Sequence, residues 1–181
     1  IINNKAGPQF DRMGATIVDL GNKSAATEAG ILEFGLRMAG AGSGAGLTEP
    51  QILGMGTALA SVGINAEAGG TAFSKVIIDM ASAAQKGGSD LEGFATVAGM
   101  SSSAFQKAFK EDAAGAIITF VEGLGQIKQS GGDLFGTLES LGITEVRMRD
   151  ALLRAAGAGD LMRTSIDTGT QAWRENSALT E

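Results

Sequence analysis

The stretch Gly46-Leu47-Thr48-Glu49-Pro50-Gln51-Ile52 contains, in order, the signals that end one helix and begin the next. A glycine tolerates the left-handed backbone that often closes a helix, and a threonine can cap the helix that follows. Gln51 stands three residues after that threonine, as a capping box requires, and Leu47 and Ile52 can pack together as a hydrophobic staple. The stretch therefore predicts a tight corner between two helices.

Two other triplets repeat this order of glycine, apolar residue and hydroxyl residue: Gly99-Met100-Ser101 and Gly142-Ile143-Thr144. Their expected staple partners, Phe105 and Met148, are apolar. Gly63-Ile64-Asn65 resembles a fourth corner, although a glycine takes the staple position there. Between the corners, apolar residues recur at the helical spacing, and no sustained alternating run is present. The chain is therefore predicted to be all-α.

The predicted architecture is a compact multi-helix bundle of about eight to ten short to medium helices joined by glycine-marked corners. Further expected N-caps are Thr27, Ser89, Asp112, Asp133 and Asp160. The predicted helices cover residues 9–20, 27–40, 49–62, 66–86, 90–98, 102–110, 113–129, 134–141, 145–156 and 161–178. Residues 1–181 are expected to form a single helical module. Because the chain begins at Ile1 and ends in a polar, helix-like stretch, we expect a segment of a longer polypeptide.

The composition excludes several kinds of chemistry. The 181 residues include no His, no Cys and no Tyr, and the net charge is -6. Ser-His and Cys-His nucleophile systems and the common His/Cys zinc sites are therefore excluded within this chain, and the negative charge argues against nucleic-acid contact. The longest nearly apolar run, residues 113–121, is far shorter than the ~20 residues that cross a bilayer. We predict no catalytic, cofactor-binding or metal-binding residues, no cofactor and no stable membrane insertion of this segment.

Two short motifs resemble functional signatures but lack their context. The glycine-rich residues 40–46 lack the spacing of a dinucleotide fingerprint, and the chain has no Gly-Lys dipeptide for a P-loop. By composition we expect a flexible junction there. Glu139-Ser140 is reminiscent of the catalytic corner of lytic transglycosylases, in which a glutamate acts as general acid. The supporting aromatic-Asn segment is missing, so we expect Glu139 to be a solvated residue near the end of a short helix.

Three arginines, Arg147, Arg149 and Arg154, lie close together in the sequence and suggest a basic patch. However, Glu145 precedes Arg149 by four residues, and Asp150 precedes Arg154 by the same interval. This spacing predicts two ion pairs along a solvated helix face. Arg147 has no obvious local partner.

Longer motifs carry a family resemblance. The run Val62-Gly63-Ile64-Asn65-Ala66-Glu67-Ala68-Gly69-Gly70-Thr71-Ala72-Phe73-Ser74-Lys75 resembles the hallmark of phage tail tape measure proteins. Further stretches that resemble the same core are residues 98–112, 120–124 and 141–154, with Leu20-Gly21-Asn22 near the start and residues 173–180 at the end. The resemblance covers essentially the whole chain, with the motifs in the family's order.

The resemblance implies a structural function. Members of this family are long, mostly helical proteins inside the tail tube of long-tailed phages, where they template tube length during assembly and leave at DNA ejection. The implied partners are tail assembly chaperones, tail tube proteins and tail tip proteins, and a homo-oligomer is left open. The implied location is the tail lumen of the virion, and the host cytoplasm during assembly. The family offers no catalytic residues at these positions, so this segment is expected not to be an enzyme.

Two other functions stay open at this stage. The Gly/Ala-rich amphipathic stripes suggest a membrane-active or pore-forming helical module used in genome delivery, which liposome leakage would test. Glu139 suggests, with less support, a muramidase-like wall-degrading domain. A ruler needs long uninterrupted helix, whereas the frequent corners of this segment indicate a chain that folds back on itself. We therefore expect a compact module of a tape measure protein rather than its ruler part.

Compactness is the first prediction to test. A single helix of 181 residues would extend over about 270 Å, whereas a compact domain of this length has a radius of gyration of about 16 Å. Small-angle scattering combined with circular dichroism should show a strongly helical species close to the compact value. A strongly helical species with a much larger radius of gyration would contradict the bundle.

Overall fold

Ten helices and no strand are found in residues 6–176, the part of the chain that the computed structural model describes. The helices are α1 (Ala6–Asn22), α2 (Glu28–Gly44), α3 (Glu49–Ser61), α4 (Ala66–Lys86), α5 (Gly88–Val97), α6 (Ser102–Glu111), α7 (Ala113–Gln129), α8 (Leu134–Ser140), α9 (Val146–Ala155) and α10 (Gly159–Glu175). The predicted all-α bundle is confirmed. The predicted last helix runs to residue 178, and its positions 177 and 178 lie outside the described residues.

The glycine-marked corners close in one common way. Their glycines are left-handed, with φ of 91° at Gly46, 76° at Gly63, 68° at Gly99 and 75° at Gly142. At the first corner, the N–H of Leu47 donates to the carbonyl of Gly42 at 2.9 Å, and the N–H of Gly46 donates to that of Ser43 at 3.1 Å. These are the two hydrogen bonds of a Schellman motif, and the other three corners repeat the pair. Each corner thus satisfies carbonyls that the end of a helix would leave unpaired.

Side-chain caps open several helices where the sequence predicts them. Four cap oxygens accept a hydrogen bond from the backbone N–H three residues later: those of Thr27 (3.1 Å), Ser101 (3.2 Å), Asp112 (3.0 Å) and Asp133 (2.8 Å). The side chain of Gln51 accepts from the N–H of Thr48 at 2.9 Å, as expected in the predicted capping box. These bonds satisfy some of the orphan donors at the helix starts.

Three predicted caps are wrong by one or two positions. The cap residues are Gly87, Glu145 and Ala158 rather than Ser89, Thr144 and Asp160. The carbonyls of Glu145 and Ala158 already accept the first helical hydrogen bonds, at 3.0 and 2.8 Å, so α9 and α10 begin directly after them. At Gly87 a left-handed φ of 73° ends α4, and α5 follows at once.

The glycine-rich residues 40–46, for which composition predicts a flexible junction, are mostly helical. The helix α2 continues to Gly44, Ala45 is its C-cap, and Gly46 opens the first corner. Packing explains the difference, because Gly42 is buried against α3. A methyl group at that position would lie 2.7 Å from the side chain of Ile52. The small residues therefore allow α2 to pack closely on α3.

Most of the buried apolar side chains form one cluster that draws on α2 to α10. Four phenylalanines are essentially inaccessible to solvent: Phe34, Phe73, Phe105 and Phe120. The ring of Phe120 meets that of Phe94 edge-on, with centroids 5.5 Å apart and planes at 67°, a favourable geometry for aromatic pairs. A smaller cluster, made of Leu20, Ala26, Ile31 and Leu53, joins α1 to α2 and α3.

Glycines bring some helices into direct backbone contact. A methyl group at Gly54 of α3 would lie 2.6 Å from the Cα of Ile166 in α10. On the opposite side of α3, a methyl group at Gly56 would lie 2.6 Å from the Cβ of Phe34. The helix α3 therefore packs so closely between α2 and α10 that only glycine fits at positions 54 and 56.

The first and last described helices are paired. The guanidinium of Arg12 in α1 donates to the carbonyl of Trp173 in α10 at 3.3 Å, and further along α1 Leu20 packs beside Gly169. The residue numbers rise in one helix as they fall in the other, so α1 and α10 run antiparallel. An ion pair of 2.8 Å joins Arg163 of α10 to Glu122 of α7, and the hydrogen bond and charge of that carboxylate raise the pKa of the arginine.

Two glycine substitutions should change stability in opposite directions. Gly54→Ala places a methyl group against the backbone of α10 and should lower the free energy of unfolding by about 1–3 kcal/mol, as overpacking does. Gly40→Ala lies in α2 with open space around it, and should raise that free energy by about 0.5–1 kcal/mol through helix propensity. Urea unfolding followed at 222 nm measures both. A loss of stability in Gly40→Ala would contradict the extension of α2 through this segment.

Candidate functional site

The stretches that carry the family resemblance lie in helices that contact one another. Residues 62–75 form a corner and the first half of α4, and residues 98–112 contain α6. Residues 120–124 lie within α7, and residues 141–154 form a corner and nearly all of α9. The helix α4 packs on α6 and α9, and α7 also packs on both. Motifs distant in sequence therefore belong to one packed unit.

A surface groove lies where α4 begins beside α9, and we call it the α4–α9 groove. It consists of two adjoining cavities of about 460 and 160 Å³ that share Asn65, Ala68, Arg147 and Asp150. The corner glycine before Asn65 directs the chain into α4, and the amide oxygen of Asn65 accepts hydrogen bonds from the backbone of Glu67 (2.8 Å) and of Ala68 (3.4 Å). The groove is therefore built on a capped and fixed helix start.

Some charged side chains of the α4–α9 groove form ion pairs within the described residues, and others do not. Arg154 donates to Asp150 at 3.0 Å, which confirms the ion pair predicted from their spacing. Arg147 is exposed and makes no ion pair with the residues from 6 to 176. Its guanidinium offers several hydrogen-bond donors in a planar fork that suits a carboxylate. The exposed carboxylate of Glu67 lines the same groove and also makes no ion pair with the residues from 6 to 176. The groove therefore offers charges of both signs and can bind a polar protein surface through hydrogen bonds and charge.

The other predicted ion pair, Glu145 with Arg149, does not form, and that prediction is wrong. Arg149 turns toward α8 instead, and its guanidinium carbon lies 5.7 Å from the centroid of the Phe135 ring. This distance fits a cation–π contact. The Nε of Arg149 is buried and has no hydrogen-bond partner in the described part of the chain. Packing of α9 on a neighbouring helix thus outweighs a weak pair along one helix face.

A second, polar cleft contains the Glu139-Ser140 pair. It has a volume of about 440 Å³, and it is lined in part by Lys75 and Asp79, which form an ion pair at 2.7 Å. Glu139 is exposed at the end of α8, which confirms the solvated position expected from the sequence. The hydroxyl of Ser140 donates to the carbonyl of Thr137 at 2.7 Å and is engaged within its own helix. The apolar enclosure that a glutamate general acid requires is not provided at Glu139.

Two further observations bear on function. Within residues 6–176, no three carboxylates lie close enough together to hold a metal ion. None of the helices in that range combines the length and the apolar character needed to cross a membrane.

Comparison of the chain with protein-family models, with curated proteins and with solved structures found no match. The family resemblance therefore rests on the motifs themselves.

Two substitutions in the α4–α9 groove should distinguish a residue that stabilises the fold, Asn65, from a residue that only lies on the surface, Arg147. Asn65→Ala removes the cap of α4 and should lower the free energy of unfolding by about 1 kcal/mol. Arg147→Ala should change it by less than about 0.5 kcal/mol, since the side chain is exposed and unpaired in the described structure. Thermal and urea unfolding of both variants would measure this. A large loss in Arg147→Ala would mean that Arg147 serves the fold rather than a binding surface.

Proposed function

We propose that the chain is a structural and assembly segment of a bacteriophage or prophage tail tape measure protein, without catalysis in this segment. It acts in tail assembly and in tail-length determination. The observation that carries the proposal is the set of family-like motifs, which follow one another in the family's order from Leu20 to Thr180. The packing of α4, α6, α7 and α9 supports it, because residues in these four motif-bearing helices can act together as one unit.

Within the parent protein, the segment serves as a compact module rather than as the ruler. The longest helix in residues 6–176 is α4, with 21 residues, and it spans about 32 Å. The left-handed corner glycines turn the chain between helices, and α2 packs on both α3 and α4, so the helices do not follow one another along a single axis. A module of this kind anchors one end of a tape by binding other tail components.

The proposed partners are tail assembly chaperones, tail tube proteins and tail tip proteins. The α4–α9 groove is the proposed contact surface, because it combines a fixed helix start with the guanidinium of Arg147, which makes no ion pair in the described part of the chain. The proposed location is the tail lumen of the virion, and the host cytoplasm while tails assemble. The lack of His and Cys in the chain agrees with a role in binding.

An in-frame deletion of residues 1–181 from the gene that encodes them would test the proposal. Loss of a module that binds other components should abolish complete tails, as judged by electron microscopy of lysates. Tails shortened by up to about 270 Å, the length of 181 residues in one helix, would instead indicate a ruler. Tails of normal length and infectivity would contradict the proposal as a whole.

A pair of charge reversals would test the proposed contact surface in the same gene. Arg147→Glu should lower the yield of assembled tails, because it replaces the donor fork with a repelling charge. Lys86→Glu is the control at the end of α4, since Lys86 is exposed, lies outside the family-like motifs and, like Arg147, makes no ion pair with the residues from 6 to 176. Equal tail yields for the two variants would mean that the α4–α9 groove is not the contact surface. The deletion experiment would then decide whether the segment acts in tail assembly.

A further inference from the structure

An apolar groove lies on a different face of the bundle, between α1 and α2, and we call it the α1–α2 groove. Its walls include Met13 of α1 with Leu32 and Leu36 of α2, and its floor includes Ile52 and Leu53 of α3. Leu36 is 71% exposed and Leu32 is 38% exposed, although both are large apolar residues. Exposed apolar side chains that line a concave surface together mark an interaction site more often than scattered ones do.

The groove holds two adjoining cavities. The first, of about 120 Å³, is bounded by the side chains just described. The second, of about 170 Å³, is lined by Phe10, Met13 and Trp173, and Phe10 is 66% exposed. Each cavity is of the size that one large apolar side chain fills. Because the two cavities share Met13 and Glu49, they suit two apolar side chains on one face of a helix.

One charge stands at the junction of these cavities. Glu49 lines both of them, and it forms no ion pair with the residues from 6 to 176. Its place in the first turn of α3 suits a carboxylate. Because the carboxylate is also exposed at the rim of an apolar groove, it is complementary to a basic residue on whatever covers the groove.

The carboxylate of Glu49 limits the kinds of molecule that can cover the α1–α2 groove. A second copy of the chain would bring the same carboxylate to a self-complementary interface, and the whole chain has a net charge of -6. An anionic lipid surface would be repelled in the same way. A basic segment with an apolar face meets both requirements of the groove.

We propose that the α1–α2 groove binds an amphipathic helix of a partner protein, through two apolar side chains and a Lys or Arg that pairs with Glu49. This inference does not depend on the proposed tail function, since it uses a separate face of the bundle. The partner is defined by its chemistry alone: a helix with apolar residues at i and i+3 or i+4, and a cation beside them.

Binding of a synthetic probe to the full 181-residue chain tests the inference. The probe is a labelled, Ala-rich helical peptide with Leu at i and i+4 and Lys beside them, and anisotropy reports its binding. We expect saturable binding that Leu36→Glu weakens by at least about tenfold. Ile78→Glu is the matched control, because Ile78 is 55% exposed on α4 and lines neither cavity. Its affinity for the probe should equal that of the original chain.

A charge exchange tests the role of Glu49. Glu49→Lys should weaken binding of the Lys peptide by about two- to fivefold, and a peptide with Glu in place of that Lys should regain a similar factor with this variant. Circular dichroism of each variant verifies that the helices remain. Equal binding of both peptides to both forms of the chain would overturn the inference, because the charge of Glu49 is what selects a basic occupant.

Other results would also overturn the inference. The first is a probe that shows no saturable binding, or binding that Leu36→Glu leaves unchanged. The second is a dimer in light scattering that Leu36→Glu dissociates, which would assign the groove to a second copy. The third is binding to phosphatidylglycerol vesicles that Leu36→Glu abolishes, which would assign it to lipid.

Discussion

A left-handed glycine followed by an apolar residue that packs into the core is the local arrangement on which this bundle depends. The glycine turns the chain, and the residue after it is buried at three of the four corners, as Leu47, Ile64 and Ile143, and partly buried at the fourth, as Met100. Two hydrogen bonds at each corner satisfy carbonyls that would otherwise be orphaned. Because four corners share this chemistry, short helices can pack around a common core without long connecting loops.

Features set by neighbouring residues could be predicted from the sequence, and features set by distant ones could not. The corners, the caps at Thr27 and Asp112 and the pairing of Asp150 with Arg154 depend on residues within one turn or two. The helical path of residues 40–44 depends instead on α3, and the position of Arg149 depends on Phe135 in another helix. Weak local preferences give way when tertiary packing favours another arrangement.

The candidate surfaces follow the same rule. The sequence identifies Arg147 as an arginine without a local partner, but the groove that it lines exists only because α4 and α9 pack together. The α1–α2 groove has no single motif, since its lining residues come from four helices, α1, α2, α3 and α10. The first surface is polar and carries charges of both signs, whereas the second is apolar and carries a single carboxylate, that of Glu49. Surfaces so different in chemistry suit two different partners.

The antiparallel pairing of α1 with α10 has a mechanical consequence. Residue 12 lies beside residue 173, so a chain pulled at both ends of the bundle would be loaded at one edge of this helix pair. The pair would then open from that edge, one turn after another, instead of sliding apart all at once. Opening in small steps requires less force than simultaneous rupture of the whole interface. The seam between these two helices is therefore where the bundle should begin to unravel under tension.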